Sequence, residues 1–133
     1  MGPASEEIKD MLVAESYLGF TFGKDLFIGR EPAEPHDCVT IYDTPSFPPD
    51  LTLDSGESYY RSSVQVRVRD RSYVEAMSIA RNIMTSLHGR AQETWSGTLY
   101  TVIRATGEPA LLAWDDNNRA IVIINFNLQR RSV

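Results

Sequence analysis

Cysteine is nearly absent from this chain. Cys38 is the only one among 133 residues. A single thiol excludes an intramolecular disulfide framework and every multi-thiolate metal site. Long apolar runs are missing too: none approaches the 18 residues of a membrane-spanning helix. The first residues, Met1 to Glu7, have neither a positive stretch nor an apolar one, so no secretory signal is expected there. Glu6 stands where a myristoylation pattern needs Ser or Thr. Neither Gly-x-Gly-x-x-Gly nor Gly-x-x-x-x-Gly-Lys-Ser/Thr occurs, so no local cradle for nucleotide phosphates is expected. There is no internal repeat and no tract of low complexity.

What is present suits a folded domain. Hydrophobic residues make up 42% and charged residues 23%, enough apolar material for one core. The length fits a single domain over residues 1–133. The net charge of -5 makes the whole surface a poor match for nucleic acid or anionic lipid. The charge is uneven. Residues 1–60 carry three basic and twelve acidic side chains, and residues 61–133 carry ten basic and six acidic ones. Folding either mixes these halves on one surface or leaves an acidic and a basic face, and the second outcome would suit head-to-tail contact between copies.

Periodicity predicts a helix from Ser5 to about Tyr17, with Ser5 as cap and Ile8, Met11 and Leu12 as its apolar stripe. A short strand is expected at Lys24 to Ile28, a loop from Gly29 to Pro35, and a strand from Asp37 to Asp43. Thr44 to Glu57 is rich in Pro, Ser and Asp and reads as one long irregular segment. Its apolar residues Phe47, Leu51 and Leu53 are expected to find a receiver in this domain or a neighbour. The segment is expected to become ordered only on that contact.

Arg61 to Asp70 has the clearest strand pattern. Val64, Val66 and Val68 alternate with Gln65, Arg67 and Arg69. Arg67 and Arg69 then lie about 6.5 to 7 Å apart on one face. Arg61 can extend the row, and Arg71 follows it. Such a face is expected to meet water, a subunit or phosphates. No aromatic residues interleave with it, which argues against a single-strand binding platform. Ser72 and Glu75 form a potential capping box for a helix from Tyr73 to His88, with Gly89 as its left-handed stop. Arg90 to Gly97 reads as a connection. Three strands follow, Leu99 to Ala105, Ala110 to Trp114 and Arg119 to Gln129, read as an antiparallel meander. Asp115 to Asn118 forms a turn.

Motifs for chemistry are weak. His36, Asp37 and Cys38 are triad residue types, but neighbours entering a strand point to opposite faces and do not converge. His88 has no companion ligand. A calcium loop beginning at Asp115 would need Glu twelve residues along, where Phe126 stands. No catalytic residue, metal site or cofactor is expected. The fold class is α+β, with a mixed, largely antiparallel sheet and helices packed on one face.

The run Asp37 to Pro45 resembles an early strand of the minor capsid, or tail terminator, proteins of long-tailed bacteriophages. In Val64 to Ala76, the residues Gln65, Arg69, Ser72, Tyr73, Glu75 and Ala76 match that family's pattern. Leu87-His88-Gly89 is similar to its helix end, Trp114 to Arg119 to its last turn, and Asn125 to Leu128 to its final strand. The likeness covers about residues 30–130. One departure is Thr44-Pro45-Ser46, where the family commonly has Gly. The resemblance implies a structural, non-enzymatic virion protein of the tail or neck, assembled in the host cytoplasm. It implies a ring, usually hexameric, that caps the head-proximal end of the tail tube, stops polymerisation and joins the head connector. The implied partners are further copies of the chain, the tail tube protein and the connector protein. Arg61, Arg67, Arg69, Arg71, Phe47, Leu51 and Leu53 are the expected interface or channel residues, with DNA passing through the ring as a non-specific contact and no membrane. The alternatives are another phage neck or tail tube subunit, and a small enzyme or unrelated binding module.

Overall fold

The computed structural model describes residues 1–51 and 58–133. Its elements run α1 (Ala4–Ala14), β1 (Leu26–Ile28), β2 (Cys38–Thr44), β3 (Asp50–Leu51), β4 (Ser58–Asp70), α2 (Tyr73–Leu87), β5 (Glu93–Trp95), β6 (Thr98–Ala105), β7 (Ala110–Trp114) and β8 (Ala120–Ser132). The sheet order is β1-β2-β4-β8-β6-β5, with β7 also on β8 and β3 on β4. Among the pairs of named strands in the described residues, β1–β2 alone is parallel. The expected α+β class and mixed, largely antiparallel sheet are therefore observed.

Alternation decides what β4 and β8 bury. Val64, Val66 and Val68 face inward beside Val122, Ile124 and Phe126, and all six are buried. Ala76, Ala80, Ile83 and Leu87 of α2 and Ile8, Met11 and Leu12 of α1 cover that same face in one apolar cluster. Each fully buried Leu or Ile contributes roughly 1.5–3 kcal/mol by leaving water. One register row crosses five strands: Leu26, Val39, Val68, Val122 and Leu111. The β1 and β7 edges therefore lie level, about 19 Å apart at about 4.8 Å per strand.

The caps differ from expectation. Ser5 lies inside α1, and the Asp43 carboxylate of β2 caps the helix from outside. It accepts from the Ser5 backbone N–H at 3.0 Å and from the Ser5 hydroxyl at 2.6 Å. The Ser72 hydroxyl accepts from the Glu75 N–H at 3.4 Å as expected, but the Ser72 N–H goes to Asp70 at 2.8 Å. Gly89 adopts φ 91° past α2, the left-handed stop that its lack of Cβ permits.

Three expectations are corrected. Arg90 to Gly97 contains β5, which pairs with β6 through a two-residue turn at Ser96 and Gly97, with φ 49° and 79°. Positive φ at both positions matches the twist of a tight hairpin. The last three strands do not form a meander. β6 and β7 lie end to end along one edge of β8, interrupted by residues 106–109, so they form one broken arm of a long hairpin. Finally, residues 44–57 are not wholly irregular, because Asp50–Leu51 pairs with Ser58 and Tyr59 at the start of β4. Leu53 and the other residues of 52–57 lie outside the described residues.

Candidate assembly surface

The outer sheet face, opposite the helices, carries the arginines of β4. The loop between β1 and β2 folds over one end of it. Arg69 is only 4% exposed. Its guanidinium donates to the Glu31 carboxylate at 2.9 Å, the Pro35 carbonyl at 2.6 Å and the His36 carbonyl at 3.2 Å. Arg119, at the foot of β8, reaches the same loop through the Ala33 carbonyl at 2.9 Å and is itself held by Asp115 at 2.7 Å. Tyr42 accepts from the Glu31 N–H at 2.9 Å. Alternation put Arg69 on the polar face, but its own chain encloses it there. A buried guanidinium needs every donor answered, and loop carbonyls supply acceptors at the right spacing.

The other predicted residues separate. Arg67 shares Glu31 with Arg69, at 3.6 Å, and sits 5.7 Å from the Tyr42 ring centre. Arg71 lies beyond the strand and pairs with Asp37 at 3.2 Å. Burial pushes the Asp37 carboxyl up, but the Arg71 hydrogen bonds and charge outweigh it and hold the group below its ordinary value. Arg61, 60% exposed, pairs with Asp50 at 2.7 Å. Arg61 and Phe47 line one open cavity of about 380 Å³, with Arg104 and Asn127. Between these arginines and the covered end runs a polar ladder, Ser63 to Asn127 at 3.0 Å and Gln65 to Asn125 at 3.1 Å. Leu51 lies in β3, apart from the Arg67–Arg69 pair.

The uneven charge of the two sequence halves is settled in part inside the chain. Arg130 meets Glu7 at 3.2 Å, Arg90 meets Glu15 at 2.7 Å, and Arg61, Arg67, Arg69 and Arg71 also reach acids of the first half. The Arg130 pair is buried with Tyr100, whose hydroxyl donates to Glu7 at 2.8 Å. Burial, then the bond to Glu7, pushes the Tyr100 phenol well above its ordinary value.

Two surface regions escaped the sequence reading. At the β7 edge, Leu111, Leu112 and Trp114 are exposed. Beside β1, Val13, Tyr17 and Phe22 are exposed. Ala110 to Trp114 lacks any charge, and that was the available signal for an uncovered apolar strand.

The triad residue types diverge. His36 turns toward Arg119, Asp37 binds Arg71, and Cys38 is buried. Burial pushes the Cys38 thiol up, opposite to the shift of an activated nucleophile. The His88 Nδ1 accepts from the Ala105 N–H at 2.9 Å. The Asp115 carboxylate accepts from the backbone N–H groups of Asn117 and Arg119, each at 2.9 Å, as an Asx turn does. Burial pushes this carboxyl up, and its bonds to Arg119 and Asn117 more than reverse that. Among the described residues, no group of three or more His, Cys, Asp or Glu could hold a metal ion, and no helix is long and apolar enough to cross a membrane.

Comparison with known proteins follows the same line. No curated protein matches the sequence at a significant level. Among solved structures, a chain of the "Virion of native gene transfer agent (GTA) particle" shares the fold. It has a TM-score of 0.64 and 12% identity, covering 98% of this chain and 96% of that one. A family model described as "Bacteriophage tail terminator protein" matches residues 15–131, from the end of α1 to the end of β8. The chain therefore belongs to the bacteriophage tail terminator family.

Proposed function

We propose that the chain is a structural tail terminator, with residues 1–133 acting as one unit. Copies close into a ring, six in the family's usual arrangement, on the head-proximal end of the tail tube. The ring leaves no site for another tube subunit and offers a surface to the head connector. Its place is the tail or neck of the virion, assembled in the host cytoplasm. The observation that carries this reading is the family match over residues 15–131. The geometry supports it. The triad residue types His36, Asp37 and Cys38 diverge, and apolar side chains at two sheet edges are left uncovered. Such a molecule works through contact surfaces rather than by catalysis.

The outer face has a part in this reading. Arg61, Arg67 and Arg71, with Phe47 and the segment carrying Leu51 and Leu53, face either a neighbouring subunit or the channel. Arg69 contributes by holding the loop in place. Arg61 and Arg104 flank the cavity and are suited to brush phosphates of passing DNA without reading sequence.

Negative-stain imaging and native mass spectrometry of the purified protein test the reading. Discrete rings are the expected result. Long tubes would favour a tube subunit instead, and a protein that remains monomeric would overturn the ring. Arg61→Glu with Arg104→Glu then separates the two roles of the outer face. Intact rings with reduced infectivity place these arginines in the channel, whereas lost rings place them between subunits.

A further inference from the structure

We propose that ring copies meet head to tail, the β7 edge of one copy seating against the Val13–Lys24 region beside β1 of the next. This rests on the ring reading above and names the surfaces that would build it.

β7 is hydrogen-bonded on one side only, to β8. Leu112 is 48% and Trp114 51% exposed, and the strand contains no charge. Charges, prolines and coverings ordinarily protect such an edge, so this one is open to a partner. The register shift between Leu111 and Ala113 interrupts the ladder. The edge therefore offers apolar side chains more than a template for another strand. Val74 is exposed near the same end of the sheet, because α2 starts just after Asp70, which shares a row with Ala120 and Trp114. Glu75 and Asp116 lie beside Val74 and Trp114 in the chain and have no cationic partner among the described residues, whereas the exposed Arg71 at the same end is paired with Asp37 at 3.2 Å.

The opposite edge is complementary. Tyr17 and Phe22 are exposed, with the Lys9 ammonium 4.7 Å above the Phe22 ring. Lys24 and Arg30 flank β1 here without an acidic partner among the described residues, while Lys9 pairs with Asp10 at 2.8 Å and the Asp25 carboxylate accepts from the Thr21 N–H at 2.8 Å. The unpaired charges beside the first patch, Glu75 and Asp116, are acidic, and beside the second the unpaired cations Lys24 and Arg30 outnumber the one carboxylate between them, Asp25. Pairing two identical patches would set acids against acids, whereas head-to-tail contact sets acids against cations. The register row from Leu26 to Leu111 places both patches level on opposite edges. Each copy can then bind two neighbours at once, which is the requirement for a closed heterologous ring.

Two variants, each blocked at one edge, test this. Leu112→Lys with Trp114→Lys blocks the first patch. Tyr17→Asn with Phe22→Asn blocks the second, since a neutral polar pair removes the apolar seat without attracting the lysines of the first variant. All four positions are exposed, so circular dichroism spectra should match the unsubstituted chain. Each variant alone should drop from the ring to the 15.0 kDa monomer in native mass spectrometry. An equimolar mixture should form a heterodimer of twice that mass and nothing larger, because one intact junction remains. Either variant alone keeping the full ring, or a mixture that stays monomeric, would overturn the proposal while leaving the ring reading intact. An unsubstituted chain that forms no ring removes the ring reading and this contact together.

Discussion

Arg69 and Arg119 converge on one carbonyl. Both donate to the Ala33 oxygen, at 3.5 Å and 2.9 Å, from strands β4 and β8 that are paired side by side. The loop between β1 and β2 is thereby fastened across the outer face at its centre. A surface segment whose backbone groups are answered by buried side chains behaves as part of the fold.

Replacing Arg69 with Met should therefore cost about 3 kcal/mol, because Glu31 and the Pro35 and His36 carbonyls lose a buried donor. Urea melts give the loss, and limited proteolysis should show new cleavage between Gly29 and Asp37. A variant with unchanged stability and unchanged cleavage would show that the clamp does not hold the loop.

The buried Glu7–Tyr100–Arg130 cluster predicts strong non-additivity. Arg130→Met alone strands a carboxylate in the core and should cost about 3–5 kcal/mol. Glu7→Leu, Tyr100→Phe and Arg130→Met together remove every buried polar group of the cluster and should cost less than the single change. Denaturant midpoints with constant slopes decide it. A triple variant weaker than the single one would mean that the cluster is net stabilising.

Acid should weaken the protein through Asp37 and Asp115. Both carboxyls titrate below their ordinary value of 3.8 in the fold, so the folded chain holds fewer protons there than the unfolded one. Their stabilisation is full above 3.8 and is lost as pH falls through the lower folded values. Asp70 has the opposite sign, since burial pushes it up and its ionisation opposes folding as pH rises. Asp37→Asn with Asp115→Asn should lower the melting temperature at about pH 7, and that deficit should shrink toward about pH 2. A deficit equal at both pH values would rule out charge as the cause.

Ile83→Ala and Leu87→Ala should each cost roughly 2–5 kcal/mol, through lost burial and the cavity left under α2. Denaturant melts would measure it. Losses below about 0.5 kcal/mol, the range of ordinary surface changes, would contradict the packing of α2 on the valine face.

The sequence by itself determined the elements whose pattern is local. Alternation in Arg61–Asp70 and Arg119–Gln129 and the helical stripe of Tyr73–His88 each name their buried face without knowing what covers it. The family likeness rode on those same elements, since it is their order that matched. Tertiary structure alone decided what depends on partners distant in sequence. Arg67 and Arg69 look equivalent along the strand, yet a loop more than thirty residues earlier encloses Arg69 and leaves Arg67 half covered. The placing of β6 and β7 end to end on β8 follows from register along a third strand, which neither segment encodes alone. Part of the charge imbalance between the halves is answered for the same reason. Acids and arginines far apart in the chain became neighbours once β2, β4 and β8 paired, and a desolvated guanidinium takes whatever acceptor the fold brings within reach.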